Sequence, residues 1–570
     1  MKNLLIIFLF SSWWGTTQAQ YWEALYGNEN NQKLYCGIKA VNILKGHAMT
    51  GHHNAGLYSQ VYVVRTNDRG FVPASTSPFF NRAITIFLAP TFDKLSAVGK
   101  SIVEMKNTSG HALAGMVQGD VFFMTVDNTG MPVTQMAYTA NKGTQVFSIA
   151  ESTIPNASGD HDYYITGSIL NTTSDVFVIK VDKNGTIIWQ RVIDLGVSNS
   201  RDDIAYDIIE NPHNTTEVCL VGSTQEIAGA TPISSFLINL NSINGTTNNV
   251  IWFSNNSSQI ILRSINEAYN PGNGFILGGT CALTDEDFLL INYDLLGATI
   301  NWVNHYDYSF FPGSNNECMD VKEHLDLATN VYRYYATGVV KENGARGGQD
   351  IMVIITDNNG NGLLNGEVTY GGSNPDNSVS ISVDSDYPKL TVGIYGTSES
   401  YAGFGFSDFY LIKPDMNGGG VCNNAFENSV SQFFGVISSS LSDHLSTPFT
   451  AYNIYAEGED LSYGIICKDG KRLPLEGNAA EINTGRLEHP TEKSSFSVYP
   501  NPTNGIVTIK LNSNIGPCQY EVVDMKGGVI DFGTIAQSHT MDLSAQPRGL
   551  YLLKIISSNG TIELQKLILD

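Results

Sequence analysis

Chemistry in this chain could start from three groups of residues. His47, His52 and His53 fall close together near the end of a predicted strand, and imidazole nitrogens hold zinc or nickel. Strand geometry separates them, however, and no acid or cysteine is fixed beside them, so the spacing predicts a solvated loop. Asp357-Asn358-Asn359-Gly360-Asn361-Gly362 is rich in oxygen ligands for calcium. It lacks the bidentate Glu of an EF-hand, and its Asp and first Gly also occur as a generic hairpin elsewhere in the chain. Asp120, Asp175, Asp287, Asp350 and Asp408 open equivalent segments. They could ring one rim and hold a cation or a sugar. The residue type favours the simpler role of accepting backbone N–H bonds from the adjoining loop. No H-E-x-x-H, G-x-S-x-G or P-loop occurs, and paired carboxylates for glycoside cleavage cannot be singled out. The expectation is no cofactor, no metal and no identifiable catalytic residue.

These acids belong to a repeat. DVFVIKVDKNG (175–185) returns seven times when aligned on its last glycine: Gly70, Gly130, Gly185, Gly245, Gly297, Gly360 and Gly418. The first position is Gln60, Asp120, Asp175, Ser235, Asp287, Asp350 and Asp408. Residues 176–181 read as a strand buried on both faces. Asp182 to Gly185 then reads as a hairpin loop, with Asp capping the turn and Gly taking a left-handed φ. A further strand follows, carrying Trp189, Trp252 or Trp302 in three copies. Two more strands precede each unit, such as YYITG ending at Gly167 and DDIAYDII at 202–209. From Gln60 to Asp408 the spacing averages about 58 residues, so four-stranded units fill residues 20–421. Radial repetition of such units predicts a seven-bladed β-propeller. YWEALYG (21–27) has no unit before it and resembles a fourth strand, while the fourth strand after Gly418 is missing. The first strand is therefore expected to complete the last blade and close the ring.

The N-terminus, MKNLLIIFLFSSWWGTTQAQ, has a charged start, an apolar run and a small-x-small site. Residues 1–19 read as a secretory signal peptide. Lys plus Arg number 32 against 55 for Asp plus Glu, a net charge of -23. That balance repels nucleic acid and anionic membranes. The seven cysteines form no C-x-x-C. Cys422 and Cys467 flank one short segment and form the expected disulfide. Residues 422–492 read as a small β segment followed by a polar linker.

From residue 493 a period-2 pattern returns. Tyr499-Pro500-Asn501-Pro502 with Gly505, then Gly549-Leu550-Tyr551, then Lys566-Leu567 occur in order. With this spacing the segment 493–570 resembles the type A C-terminal sorting domain of the type IX secretion system of the Bacteroidetes. The resemblance implies an Ig-like sandwich read by an outer-membrane translocon. It also implies removal of the tail by a sortase, with release of the product or its attachment to surface lipopolysaccharide. The Asp182-x-x-Gly185-x-x-x-Trp189 run resembles the repeats of quinoprotein-like propellers, where the Trp packs between blades. That likeness implies fold rather than a bound quinone.

The chain thus reads as an all-β exported protein, secreted or held at the outer-membrane surface. Its propeller is either a binding or adhesion module or, alternatively, a hydrolase or lyase acting on polysaccharide or peptide. The absence of a catalytic signature favours the first.

Overall fold

The structure is a computed structural model. It describes residues 22–472 and 496–569, apart from short loops and the segments 71–79, 227–232, 308–314, 342–347, 385–390, 401–406, 416–423 and 433–449. Among the described residues every regular element is a strand. The chain divides into two compact units, Met1–Gly485 and Arg486–Asp570.

The first unit is built from antiparallel four-stranded sheets, each a simple meander. In one, Thr144–Glu151, Tyr163–Leu170, Ser174–Val181 and Ile187–Ile193 pair in chain order. Val176, Phe177, Val178 and Ile179 on its third strand are fully buried, so both faces of that strand are covered. Nine strands frame the interior of this unit. β1 is Trp22–Gly27. The opening strands of successive meanders are β2 (Gln32–Ala40), β3 (Ala97–Glu104), β4 (Thr144–Glu151) and β5 (Arg201–Glu210). They continue with β6 (Gln259–Ala268), β7 (Asn315–Asp326) and β8 (Asp376–Asp384). β9 is Asp408–Lys413.

The meanders that begin with β2 to β7 each take four consecutive strands. The one that begins with β8 takes three, ending in β9, and its next strand is β1. Tyr26 lies opposite Phe409, and Trp22 opposite Lys413. Opening strands pack against one another in chain order, and β8 packs against β2.

The hairpin between third and fourth strands explains the repeated glycine. Asp182 Oδ1 accepts the amides of Asn184 and Thr186 at 2.9 and 2.8 Å. Asp357 Oδ1 does the same for Asn359 and Asn361, both at 2.8 Å. Gly70, Gly130, Gly185, Gly245 and Gly360 all take positive φ, between 72 and 79°. The glycine also meets the neighbouring sheet. A Cβ on Gly245 would lie 2.6 Å from the Trp189 ring, and one on Gly360 2.7 Å from Trp302. The glycine carbonyl then accepts a tyrosine hydroxyl from that sheet's fourth strand: Tyr138 to Gly185 at 2.7 Å and Tyr306 to Gly360 at 2.5 Å. Tyr26 of β1 makes the same bond to Gly70, at 2.8 Å. β1 therefore stands toward the β2 meander as each fourth strand stands toward the next meander.

Gly360→Ala is expected to destabilise the first unit by about 2–4 kcal/mol, combining left-handed backbone strain with overpacking against Trp302. Gly119 has φ of 88° but open space around it, so Gly119→Ala is expected to cost only the backbone part, about 1–2 kcal/mol. Equal shifts in urea midpoint for the two variants would contradict this packing role.

Residues 424–472 differ from expectation. Their described strands add to outer sheet edges rather than pairing into a sheet of their own. Asn424–Glu427 pairs with Gly362–Tyr370 and Val430–Gln432 with Thr299–Asp307. Thr450–Asp460 pairs first with Pro132–Thr139 and then with Phe80–Leu88. Ser462–Lys468 pairs with β1. The physical reason is that each fourth strand presents a row of unpaired amides and carbonyls, which a nearby extended segment satisfies. The histidines also differ from expectation. His47, His52 and His53 lie within the strand Gly46–Asn54, and His47 and His53 are buried rather than solvated. His47 Nδ1 meets the Tyr395 hydroxyl at 2.9 Å and His53 Nδ1 meets Gln60 Oε1 at 2.7 Å. Pairing across the sheet buries what the local sequence leaves exposed.

The second unit has a three-stranded sheet (Phe496–Tyr499, Ile506–Leu511, Ser538–Asp542) and a four-stranded one (Val529–Ile535, Cys518–Asp524, Gly549–Ile556, Ile562–Leu569). Val507, Ile509, Val522, Tyr551, Leu553 and Leu567 share one apolar core.

Candidate ligand site on the opening strands

All seven opening strands carry one register break at the same place. It falls between Leu34 and Cys36, Gly99 and Ser101, Val146 and Ser148, and Ala205 and Asp207. It recurs between Leu262 and Ser264, Cys318 and Asp320, and Ser378 and Ser380. A bulge adds one residue to the strand and re-aims the side chains around it. Two polar layers result.

The residue after the break is Ser or Asp in six strands and Cys36 in β2. These side chains stitch neighbouring opening strands together. Ser148 Oγ donates to Asp207 Oδ1 at 2.7 Å, and Asp207 Oδ2 accepts the Ile265 amide at 3.0 Å. Ser264 Oγ donates to Asp320 Oδ1 at 2.7 Å, and Asp320 Oδ2 accepts the Ile381 amide at 3.0 Å. Ser380 Oγ accepts from the Gly37 amide at 2.8 Å and donates to the Gly37 carbonyl at 2.9 Å. Ser101 Oγ lies 3.9 Å from Cys36 Sγ. Burial pushes Asp207 up to about 6 and Cys36 up to about 11, and both Asp207 and Asp320 act on Cys36 electrostatically. The two acids of this girdle are thus consumed in holding strands.

Three residues on, a glutamate grips the exit of the preceding opening strand. Glu104 accepts the Val41 amide at 2.6 Å, Glu151 the Lys106 amide at 3.0 Å, and Glu323 the Tyr269 amide at 2.6 Å. Glu210 accepts that of Thr153. The underlying pattern is Ser101-Ile-Val-Glu104, Ser148-Ile-Ala-Glu151, Asp207-Ile-Ile-Glu210, Ser264-Ile-Asn-Glu267 and Asp320-Val-Lys-Glu323. Aligning opening strands, rather than third strands, would have found it.

The residue within the break forms a second layer: Tyr35, Lys100, Phe147, Tyr206, Arg263, Met319 and Val379, all half-exposed. Neighbours touch. Phe147 meets Tyr206 edge-on at 5.0 Å, Arg263 lies 5.3 Å from the Tyr206 centroid, and Arg263 pairs with Glu317 at 3.8 Å. Lys100 Nζ sits 3.7 Å over Tyr35, with Lys33 Nζ 5.6 Å away and the His52 ring at 5.7 Å. Burial and then the Lys33 charge pull Lys100 down to about 8. Burial and the two lysines pull His52 down to about 4, so its ring is neutral. This collar of aromatic and basic side chains is the candidate ligand site. Sequence reading missed it because the position is defined by the bulge and not by residue type.

The repeated acids do not line the collar. Asp175 and Asp287 are buried, and their partners are side chains rather than loop amides: Asn171 and Thr173 for Asp175, and His305 Nδ1 at 2.9 Å for Asp287. Cys281, Asp287 and His305 place three possible metal-ligand atoms within 4.8 Å, as do Asp175, Asp194 and Asp203. The three tryptophans are buried, Trp189 and Trp302 against the turn glycine of the neighbouring sheet and Trp252 against Phe236 of its own, with Trp189 Nε1 donating to the Ser242 carbonyl at 3.1 Å. Cys36, Cys219, Cys281, Cys318 and Cys518 are free thiols. Residues 1–19, Gly297, Gly418, Cys422, Pro500 and Pro502 lie outside the described residues, as do the side chains of Cys467, Leu550 and Lys566.

In the second unit the tail motifs come together. Gly549 lies opposite Leu569, Tyr551 opposite Leu567, and Leu552 opposite Lys566. Thr503, following Asn501, bridges to Leu569. Tyr499 is exposed, whereas Tyr551 is buried with its hydroxyl donating to the Pro547 carbonyl at 2.5 Å. Gly505 has φ of 134°, and a Cβ there would meet Ser544 at 2.2 Å.

Residues 497–570 match the family model described as the secretion system C-terminal sorting domain. No curated protein matches the chain. Among solved structures the chain is similar to Chaetomium thermophilum Sqt1, at 8% identity and TM-score 0.37, covering 69% of this chain and 97% of that one. It is also similar to a mutant Synechocystis apocarotenoid oxygenase, at 10% identity and TM-score 0.30, covering 76% and 97%. A third similar structure is the extracellular domain of a two component system protein from B. thetaiotaomicron, at 10% identity and TM-score 0.24, covering 96% and 99%.

Proposed function

We propose that this chain, a cargo of the type IX secretion system by its C-terminal sorting domain, displays a seven-bladed β-propeller that binds a ligand through the collar. In this reading a signal peptide at 1–19 takes the chain to the periplasm. The Ig-like tail is read by the translocon and removed by a sortase, and the product is secreted or attached to surface lipopolysaccharide. The propeller ring is closed by β1. Support for closure comes from the pairing of β1 with β9, the packing of β8 on β2 and the Tyr26–Gly70 bond.

The observation that carries the binding reading is the division of labour between the two polar layers. Girdle acids Asp207 and Asp320 each accept several hydrogen bonds from neighbouring strands. The half-exposed collar instead presents side chains of varied type on a rigid, repeated frame, which is how recognition surfaces are built. The alternative, a hydrolase or lyase, needs a poised acid or base at the site. Glycan-array binding of the secreted chain, paired with a turnover assay on every hit, tests the proposal. Binding without turnover, reduced at least about tenfold (1.4 kcal/mol) by Tyr206→Ala, is the expected result. Turnover of a hit, or binding indifferent to the collar, would overturn it.

A further inference from the structure

The chain has many more acids than bases, so its basic groups should find partners easily. Most described ones do: Arg263 has Glu317, and Lys39 and Lys413 share Asp68. Lys33 and Lys100 differ. Among the described residues neither makes an ion pair; both lie near the Tyr35 ring and act on His52, and the Lys33 charge adds to the cost of the half-buried Lys100 ammonium. Beside them, His52 Nδ1 is buried without a hydrogen-bond partner. Two ammoniums and a neutral imidazole grouped around the Tyr35 ring can serve as an anion receptor.

We infer that the Lys33–Lys100 end of the collar takes the carboxylate of an acidic saccharide, an inference that rests on the binding reading above. The carboxylate belongs between the two ammoniums, and the sugar ring extends along the collar toward the half-exposed faces of Phe147 and Tyr206. Two features narrow the class. The net charge of -23 repels long polyanions at a distance, whereas a single carboxylate feels mainly the local field within a Debye length of about 8 Å. A peptide would need a run of edge amides to pair with, and the bulge on each opening strand interrupts that run. Recognition here rests on side chains, which suits a sugar.

The experiment titrates the full chain with an oligosaccharide ending in glucuronate and with the matched one ending in glucose, by calorimetry. The acidic sugar is expected to bind at least about tenfold tighter, a difference of 1.4 kcal/mol. Lys100→Met should erase that difference without moving the thermal midpoint, and Lys100→Arg should keep most of it. Lys33→Met, at an exposed position, repeats the test with little risk to folding. Equal affinity for both sugars overturns the inference while leaving the binding reading intact. Tighter binding of inorganic phosphate, or of a peptide through its C-terminal carboxylate, overturns the saccharide class. If neither sugar binds, the inference falls; whether the wider binding reading falls with it is decided by the glycan array.

Discussion

A chain ending at residue 485 is expected to vanish from the cell surface and the medium and to accumulate in the periplasm, with its first unit still folded. The effect should be all-or-none. Residues 486–570 form their own compact unit with a separate core, so their removal takes away the address and leaves the first unit's core untouched. Cell fractionation and protease shaving measure the outcome. A point variant reports on the same mechanism. Tyr551 is buried, and its hydroxyl ties the strand to the Pro547 carbonyl. Tyr551→Ala should destabilise the tail by about 3–5 kcal/mol and lower surface delivery in proportion. Undiminished export of the truncated chain would contradict the role of the tail.

The second large effect is expected at Asp320. Its carboxyl accepts from Ser264 Oγ, the Ile381 amide, the Val321 amide at 2.9 Å and Asn266 Nδ2 at 3.3 Å. Lys322 Nζ lies 3.4 Å away. The residue therefore ties β6, β7 and β8 to one another. Asp320→Ala leaves several buried donors unsatisfied and should cost about 3–5 kcal/mol. Ser264→Ala, which removes one bond, should cost about 1 kcal/mol. Trp22, Trp189, Trp252 and Trp302 all lie in the first unit, and residues 486–570 contain no Trp. Urea unfolding followed by tryptophan fluorescence therefore reads the first unit alone. Asp207 adds a pH dependence. Burial raises its folded pKa to about 6, well above the ordinary aspartate value. The fold thus favours its protonated form: the stabilising contribution is present below pH 4 and is lost as pH rises through 6. Between about pH 4 and 6 this contribution is lost, and Asp203, which burial also raises to about 6, acts in the same direction; Asp207→Asn should therefore reduce, and not abolish, the slope of that segment of the profile.

How much of this was legible depends on where the determining contacts lie. The hairpin was readable because Asp182 and Gly185 settle it within four residues, through a side-chain cap and a left-handed φ. The pairing of β1 with β9 was readable because YWEALYG carries the Tyr-Gly signature of other fourth strands, such as Tyr370-Gly371. The opening strands were harder. Their bulge breaks the period of two, so alternation fails where Lys100 or Tyr206 turns outward. The Ser/Asp-Ile-x-Glu pattern looks unlike a buried strand because its polar groups bond to neighbouring sheets some 50 residues away in sequence. The edge strands at 424–472 were invisible for a similar reason. Thr450–Asp460 finds its partners more than 300 residues upstream, and no local pattern encodes that choice. Histidines at 47 and 53 were misplaced because burial by Tyr395 and Gln60 is also a tertiary fact.

The central claim is that the N-terminal strand supplies the last strand of the last blade. Ala24 lies directly opposite Leu411, and facing Cβ atoms in such a pair are within about 4.5–5.5 Å, near disulfide range. The decisive measurement is mild oxidation of the Ala24→Cys, Leu411→Cys double variant, followed by peptide mapping under non-reducing conditions. A linked peptide joining residues 22–27 to 408–413 in most molecules, absent when the second cysteine is instead placed at Ile251, is the predicted result. No link at 411, or an equal yield at 251, would contradict closure of the ring.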